Sequence, residues 1–153
     1  MIGGFRIEAP KASTLPEWRR MRQALWPELT EEENRSETEA MMTTETRFFV
    51  RIAMDGEAGP VGFAEASLRG DYVNGCVTSP VVFLEGIYVE SWARRRAAAR
   101  LLVDAVGAWG RKLGCREFAS DALLENEESH AMHRALGFEE TERVVYFRRD
   151  LGS

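Results

Sequence analysis

Apolar positions repeat along this chain with two different periods. Ala98, Leu101, Leu102, Ala105, Val106, Trp109 and Leu113 fall close to an i, i+3, i+4, i+7, i+8, i+11 series, one face of a long helix that Gly114 ends as a C-cap. Just before it, Phe83-Leu84-Glu85-Gly86-Ile87-Tyr88-Val89 is rich in β-branched and aromatic residues and predicts a buried strand. Phe5–Glu8, Phe48–Met54, Val61–Leu68 and Glu117–Asp121 predict further strands, and Val144–Phe147 a closing one. Asp55-Gly56 to Gly59 is a turn, and Asp71 to Pro80 a loop. Thr14-Leu15-Pro16-Glu17 reads as a capping box. It opens a helix to about Trp26, with Trp18, Met21, Leu25 and Arg22 along one side, stopped by Pro27. Thr30-Glu31-Glu32-Glu33 is a second box, before an acidic helix to about Met42. Asn126 to Leu136 predicts a last helix, capped by Gly137. The order β-αα-βββ-α-β-α-β predicts an α/β (α+β mixed) fold, one mixed sheet covered by helices.

Composition narrows the function. With 153 residues, 44% hydrophobic and 29% charged, the chain suits a single globular domain over 1–153. A net charge of −5 disfavours nucleic acid and suits a cationic substrate. No apolar run approaches a membrane span, and the N-terminus lacks the apolar core of a signal peptide. Cys76 and Cys115 show no metal-type pairing, so free thiols in a reducing cytoplasm are expected. No metal is expected either: His130 and His133 have no third ligand placed by the pattern.

Between the central strand and the long helix lies Arg94-Arg95-Arg96-Ala97-Ala98-Ala99-Arg100. Helix N-termini offer unpaired N–H groups and a positive dipole end, so arginines there are a local conflict that a phosphate would resolve. Taken alone, such a run also fits a solvated face. Strand, basic turn, small residues and amphipathic helix together resemble the cofactor motif of the GNAT superfamily of acetyl-CoA-dependent N-acetyltransferases. Ala97 replaces the usual Gly of that motif. Asn126 to Phe138 resembles the superfamily's second motif, with Ser129 matching and His133 at the usual Tyr position. Five blocks are similar to the aminoglycoside 6′-N-acetyltransferases: Met21-Arg22-x-x-Leu25-Trp26-Pro27, Asp71-Tyr72-Val73-Asn74-Gly75, Phe83-Leu84-Glu85-Gly86, Gly114-Cys115-Arg116-Glu117 and Gly137-Phe138-Glu139-Glu140-Thr141-Glu142.

The resemblance implies a GNAT-like fold with a single mixed, mostly antiparallel sheet flanked by helices. It implies acetyl transfer to the 6′-amino group of aminoglycosides in a ternary complex, and commonly a homodimer. Acetyl-CoA would be held by backbone groups of Ile87, Tyr88 and Val89, by the Arg94, Arg95, Arg96, Ala97, Ala98, Ala99 and Arg100 turn, and by Asn126, Ser129 and His133. Trp26, Tyr72, Glu85, Asp121 and Glu142 would meet the polycation. The reaction needs a base and an acid. Glu85, through a water, or Asp121 are the base candidates, and His133 the acid candidate. Glu85 lies mid-strand among apolar neighbours, where a carboxylate is costly unless it meets a cation or a hydrogen-bond partner. Glu31, Glu32, Glu33, Glu37 and Glu39 read as a solvated acidic face or a rim of the substrate mouth. Two other readings stay open: the same fold acetylating a polyamine or a protein N-terminus, and an acyl-CoA-binding module that has lost catalysis.

Overall fold

A computed structural model describes residues 4–43, 47–94 and 97–153. Two compact units are present, Met1–Asp121 and Ala122–Ser153. The first holds one five-stranded sheet, ordered β1 (Phe5–Glu8), β2 (Phe48–Asp55), β3 (Gly59–Arg69), β4 (Val81–Val89) and β5 (Phe118–Ser120). The first four strands pair antiparallel, and β5 pairs with β4 in parallel. The parallel pair needs a crossover. Helix α3 (Ala98–Lys112) supplies it, after a short 3₁₀ turn at Ser91–Ala93 that the sequence pattern did not predict.

Helices cover both faces of the middle strands. Trp18 and Met21 of α1 (Leu15–Leu25) pack fully buried against Val50, Ile52 and Phe63. Each such side chain contributes about 1.5–3 kcal/mol on burial. Ala98, Leu102 and Val106 of α3 pack on Ala64, Ala66, Val82 and Leu84 from the other side. Phe63 and Ala64 thus face opposite layers, which is why β3 is buried continuously from Val61 to Ala66 rather than in alternation. The helical period placed the α3 stripe correctly except at its end, where Leu113 is 40% exposed. Val103 and Gly110 are buried instead. Gly110 stands directly on β4, where a Cβ would lie 2.6 Å from Val82 Cγ1.

Helix α2 (Glu31–Thr43) opens with the expected capping box: Glu33 N donates to Thr30 Oγ1 at 3.1 Å, and Thr30 N to Glu33 Oε1 at 3.0 Å. The box expected at Thr14 does not form. The Thr14 hydroxyl turns back to the backbone of Lys11, accepting from its N–H and donating to its carbonyl, while Glu17 pairs with Arg20. Pro16 occupies the first turn, where it removes an N–H that would otherwise need a partner.

The second unit contains α4 (Glu127–Ala135), capped by the Asn126 side chain, which accepts from Ser129 N. The closing strand expected at Val144–Phe147 is absent: no regular element is assigned from residue 138 onward. Strand propensity describes a fit to a pleated surface, and this segment has no ladder partner to pair with. Val145, Tyr146, Phe147 and Leu151 are 75%, 81%, 93% and 91% exposed.

Candidate active site

The organising feature is a one-residue irregularity in β4. Ala66 pairs with Leu84, but Glu65 pairs with Gly86, so Glu85 is an extra residue without a direct partner. The bulge reverses which side the backbone faces. Val82 N–H points to β5, donating to the Glu117 carbonyl. Glu90 N–H points the other way, to the Val61 carbonyl on β3. Counting back from Glu90, Ile87 and Val89 turn their backbone groups away from β3. On that side β5 has already ended: its ladder with β4 runs only from Val82↔Phe118 to Leu84↔Ser120. Among the described residues no strand pairs with Glu85 to Val89 on that side, which leaves an open strand edge, with Arg94 Nε donating to the Val89 carbonyl at 3.0 Å. An open edge can take up an extended ligand through main-chain hydrogen bonds.

Glu85 and Asp121 each follow the last pair of that ladder. Glu85 is exposed on β4, so burial costs it little, and it also meets both a cation and a hydrogen-bond donor. Its Oε1 accepts from Ser67 Oγ at 2.5 Å and from Arg69 Nη2 at 2.8 Å, and its Oε2 lies 3.1 Å from the same nitrogen. The Arg69 guanidinium carbon also lies 3.6 Å from the centroid of the Phe83 ring, a cation–π contact. Ser67 and Arg69 were missed in the sequence, while Phe83 stood in a matching block without a role. The only signal there was the two-residue spacing of Ser67 and Arg69, which gives them one face of β3.

Trp26 ends α1 and lies against β4 at Gly86, where a Cβ would come within 2.5 Å of its Cζ2 atom. Phe63 meets the same ring edge-on at 6.1 Å, and the Arg22 guanidinium carbon is 5.1 Å from its centroid. Arg22 is itself buried. Its Nε donates to Glu65 Oε2 at 2.7 Å, its Nη1 to Asn34 Oδ1 at 2.9 Å and its Nη2 to Glu37 Oε2 at 2.6 Å. Trp18 Nε1 donates to the same Glu65 oxygen at 2.9 Å. Burial pushes the Glu65 carboxyl up from its ordinary value, against the pull of Arg22 and the indole N–H. Burial also pulls Arg22 down, but Glu65 and Glu37 outweigh it and hold the guanidinium above its usual range. Through Glu37 this pair ties the acidic face of α2 to α1 and the sheet.

The basic turn lies between β4 and α3. Arg95 and Arg96 fall outside the described residues. Ala97 is the N-cap of α3 with φ −74° and ψ −9°, and no side chain caps the helix. Ala adopts those angles freely, so the departure from the motif's Gly carries no backbone strain. The first N–H groups, of Ala98, Ala99 and Arg100, begin the helix there. Tyr72 is 76% exposed on the loop before β4. That loop is held by Glu117, which accepts from Val77 N at 2.9 Å, from Thr78 N at 2.7 Å and from the Thr78 hydroxyl.

Asn126, Ser129, His133 and Glu142 belong to the second unit. His133 Nδ1 lies 2.7 Å from the Ser129 carbonyl. A carbonyl only accepts, so Nδ1 carries a proton and donates it to Ser129. His130 Nε2 is held by the Leu123 carbonyl at 2.9 Å, and Glu142 is exposed. Among the described residues no three His, Cys, Asp or Glu side chains gather as a metal site.

Comparison with known proteins shows the family and the fold. Residues 15–138 match the model of the Acetyltransferase (GNAT) family. The aminoglycoside N(6′)-acetyltransferase type 1 of Salmonella typhimurium is 48% identical over 136 residues, 88% of this chain and 92% of that protein. The structure of AAC(6′)-Iy in complex with the bisubstrate analog CoA-S-monomethyl-acetylneamine superposes with a TM-score of 0.89 at 44% identity, over 95% of this chain and 98% of that one. AAC(6′)-Ih from Acinetobacter baumannii, an aminoglycoside antibiotic 6′-N-acetyltransferase, gives 0.92 at 44% identity, over 97% and 100%.

Proposed function

The chain belongs to the acetyltransferase (GNAT) family, and on that footing we propose that it is an aminoglycoside 6′-N-acetyltransferase, a single catalytic domain over residues 1–153 that uses acetyl-CoA as co-substrate. The observation that carries this reading is the end of the β4–β5 ladder, where two carboxylates, Glu85 and Asp121, adjoin an open strand edge. Acetyl transfer to a cation needs both. The edge offers Ile87 and Val89 N–H groups to the pantetheine arm and to the thioester carbonyl, where negative charge develops. The carboxylates receive the amino groups of the sugar. Relatives at 48% identity carry the aminoglycoside name, which favours a polycationic sugar over a polyamine or a protein N-terminus.

Asp121 takes the proton from the reactive ammonium, directly or through a water. The freed amine attacks the thioester carbon, the C–S bond breaks, the nitrogen gives up its second proton, and the coenzyme A thiolate takes up one in exchange. Because thiol pKa values lie near about 8–9, the thiolate is a tolerable leaving group at neutral pH and a dedicated acid is dispensable. Ala98, Ala99 and Arg100 N–H groups hold the pyrophosphate, with Arg94, Arg95 and Arg96 supplying charge; Asn126, Ser129 and His133 are the second unit's residues that the family resemblance assigns to the cofactor. Trp26 and Tyr72 flank the acceptor, and Glu142 is the second unit's residue that the family resemblance assigns to it.

The enzyme acts in the cytoplasm, where Cys76 and Cys115 stay as free thiols. It acts as a homodimer, in which a second copy covers the exposed Val145, Tyr146, Phe147 and Leu151. The deciding experiment follows thiol release from acetyl-CoA with kanamycin, with spermidine and with no acceptor. Release with kanamycin alone is expected. Release with spermidine alone assigns the chain to another amine, and no release in any arm identifies an acyl-CoA-binding module. Sedimentation equilibrium tests the dimer, and a monomer at micromolar concentration overturns it.

A further inference from the structure

The seat of Trp26 on Gly86 is the tightest contact between α1 and β4 that a side chain would disturb. A Cβ at Gly86 would lie 2.5 Å from Trp26 Cζ2, 2.6 Å from Cη2 and 3.1 Å from Leu25 Cδ2. The two contacts to the indole are shorter than side chains make, so either the ring or the strand must move. The other surroundings of the ring leave it little room to yield sideways: Phe63 stands edge-on to it and the buried Arg22 guanidinium lies over it. Arg22 is in turn fixed by Glu65, Asn34 and Glu37. Glu65 is also the cross-strand partner of Gly86. The indole is thus located by a closed circuit: β4 at Gly86, β3 at Glu65 and Phe63, and α1 at Arg22. Gly86 directly follows Glu85, the bulge residue whose carboxylate stands at the end of the ladder.

We propose that Gly86 is a specificity-determining position for the acceptor, acting through Trp26: its missing side chain lets the indole lie against β4 and leaves the space beside Glu85 for a sugar ring. This rests on the aminoglycoside reading above. The chemistry fits a sugar. An indole gives a flat apolar face to the C–H side of a pyranose and an N–H at its edge that suits a hydroxyl partner. A methyl group at position 86 forces the ring off its seat on the strand, so the indole no longer presents its face beside Glu85. Gly86 touches neither substrate in this arrangement and is a positioning residue. It does not set the open edge, because its backbone groups face β3 and the edge groups are those of Ile87 and Val89.

The test uses the full-length enzyme and three variants, Gly86→Ala, Trp26→Phe and Gly86→Ala/Trp26→Phe, with kanamycin and acetyl-CoA varied separately. Gly86→Ala is expected to raise the kanamycin KM by about tenfold or more, with the acetyl-CoA KM within about twofold of wild type. The smaller ring relieves the clash, so the double variant should recover to about the level of Trp26→Phe alone. That rescue is the readout a general loss of stability would not give, and it remains measurable if Gly86→Ala alone folds poorly. A double variant no better than Gly86→Ala overturns the proposal, as does a Gly86→Ala enzyme whose loss lies in acetyl-CoA binding. Wild-type enzyme that leaves kanamycin unmodified overturns the functional reading, and this inference with it. Wild-type turnover together with an unchanged Gly86→Ala overturns the inference alone.

Discussion

The Arg69 guanidinium sits on the Glu85 carboxylate, with Nη2 2.8 Å from Oε1, at the place where a substrate ammonium is expected to arrive. Both side chains are partly open, at 41% and 35%, so water screens the pair and it contributes roughly 0.2–1 kcal/mol. Arg69 therefore competes modestly with a cationic acceptor. Arg69→Gln should lower the kanamycin KM by about two- to fivefold and steepen its rise with salt. Initial rates at several ionic strengths check this. A raised KM would mean that Arg69 holds Glu85 in its working position rather than competing for it.

Asp121 follows the last residue of β5 and ends the short ladder beside Glu85. A charge-assisted hydrogen bond to a carboxylate contributes about 1.5–3 kcal/mol. Asp121→Asn should thus reduce kcat/KM for kanamycin by roughly ten- to a hundredfold or more. Acetyl-CoA affinity, set by backbone groups of β4 and α3, should be unchanged in calorimetry. Full activity in both Asp121→Asn and Glu85→Gln would move the acceptor site elsewhere.

His133 holds its Nδ1 proton on the Ser129 carbonyl and packs edge-on to Phe138 at 5.3 Å. The coenzyme A thiolate leaves without a dedicated acid, since thiol pKa values lie at about 8–9. His133→Ala should lower kcat by less than about tenfold, because general acids contribute typically a hundredfold or more where they are needed. A thousandfold fall with intact cofactor binding would identify a dedicated acid. Single-turnover rates separate chemistry from product release in this comparison.

Glu117 is held below the usual carboxylate range by the Thr78 hydroxyl first, then by the N–H of Val77. A carboxyl that is more acidic folded than unfolded stabilises the fold above its unfolded value, which is near about 4.5, and that share is lost as pH falls toward the folded one. Wild type should therefore lose stability below about pH 4.5 more steeply than Glu117→Gln, with parallel curves above that. Urea midpoints measured between pH 3 and pH 7 compare the two. Coincident slopes at acid pH would show that the clip on the 71–80 loop is not a titrating contact.

The layered sheet was legible because its signals are local. The stripe on α3, the β-rich run of β4 and the Thr30–Glu33 box each depend on residues within a few positions of one another. The closing strand was misread at Val144–Phe147 for the complementary reason: a ladder needs a partner, and no local pattern names one. The carboxylates and Trp26 were singled out by resemblance to a family, while what surrounds them was not. Glu85 meets Ser67 and Arg69 across a bulge, and Trp26 meets Gly86 across sixty positions of chain. A glycine in a strand signals close approach without saying what approaches. Arg22 read as one flank of an amphipathic helix. Its burial became intelligible only with Glu65 in place on β3.

One contact in the core sets a mechanical limit. Gly110 rests on Val82, the residue at which β4 begins its pairing with β5, so α3 is pinned to the sheet near its C-terminal end. From Gly110 to Ala98 the helix is a lever about 18 Å long, and a tilt of about 5° at the pin would carry its far end about 1.5 Å. That far end is the turn proposed to hold the pyrophosphate. A methyl group at position 110 would act as a wedge under the pin, and its effect would be read as misaligned acetyl delivery at a distance, in an enzyme whose acceptor wall is intact.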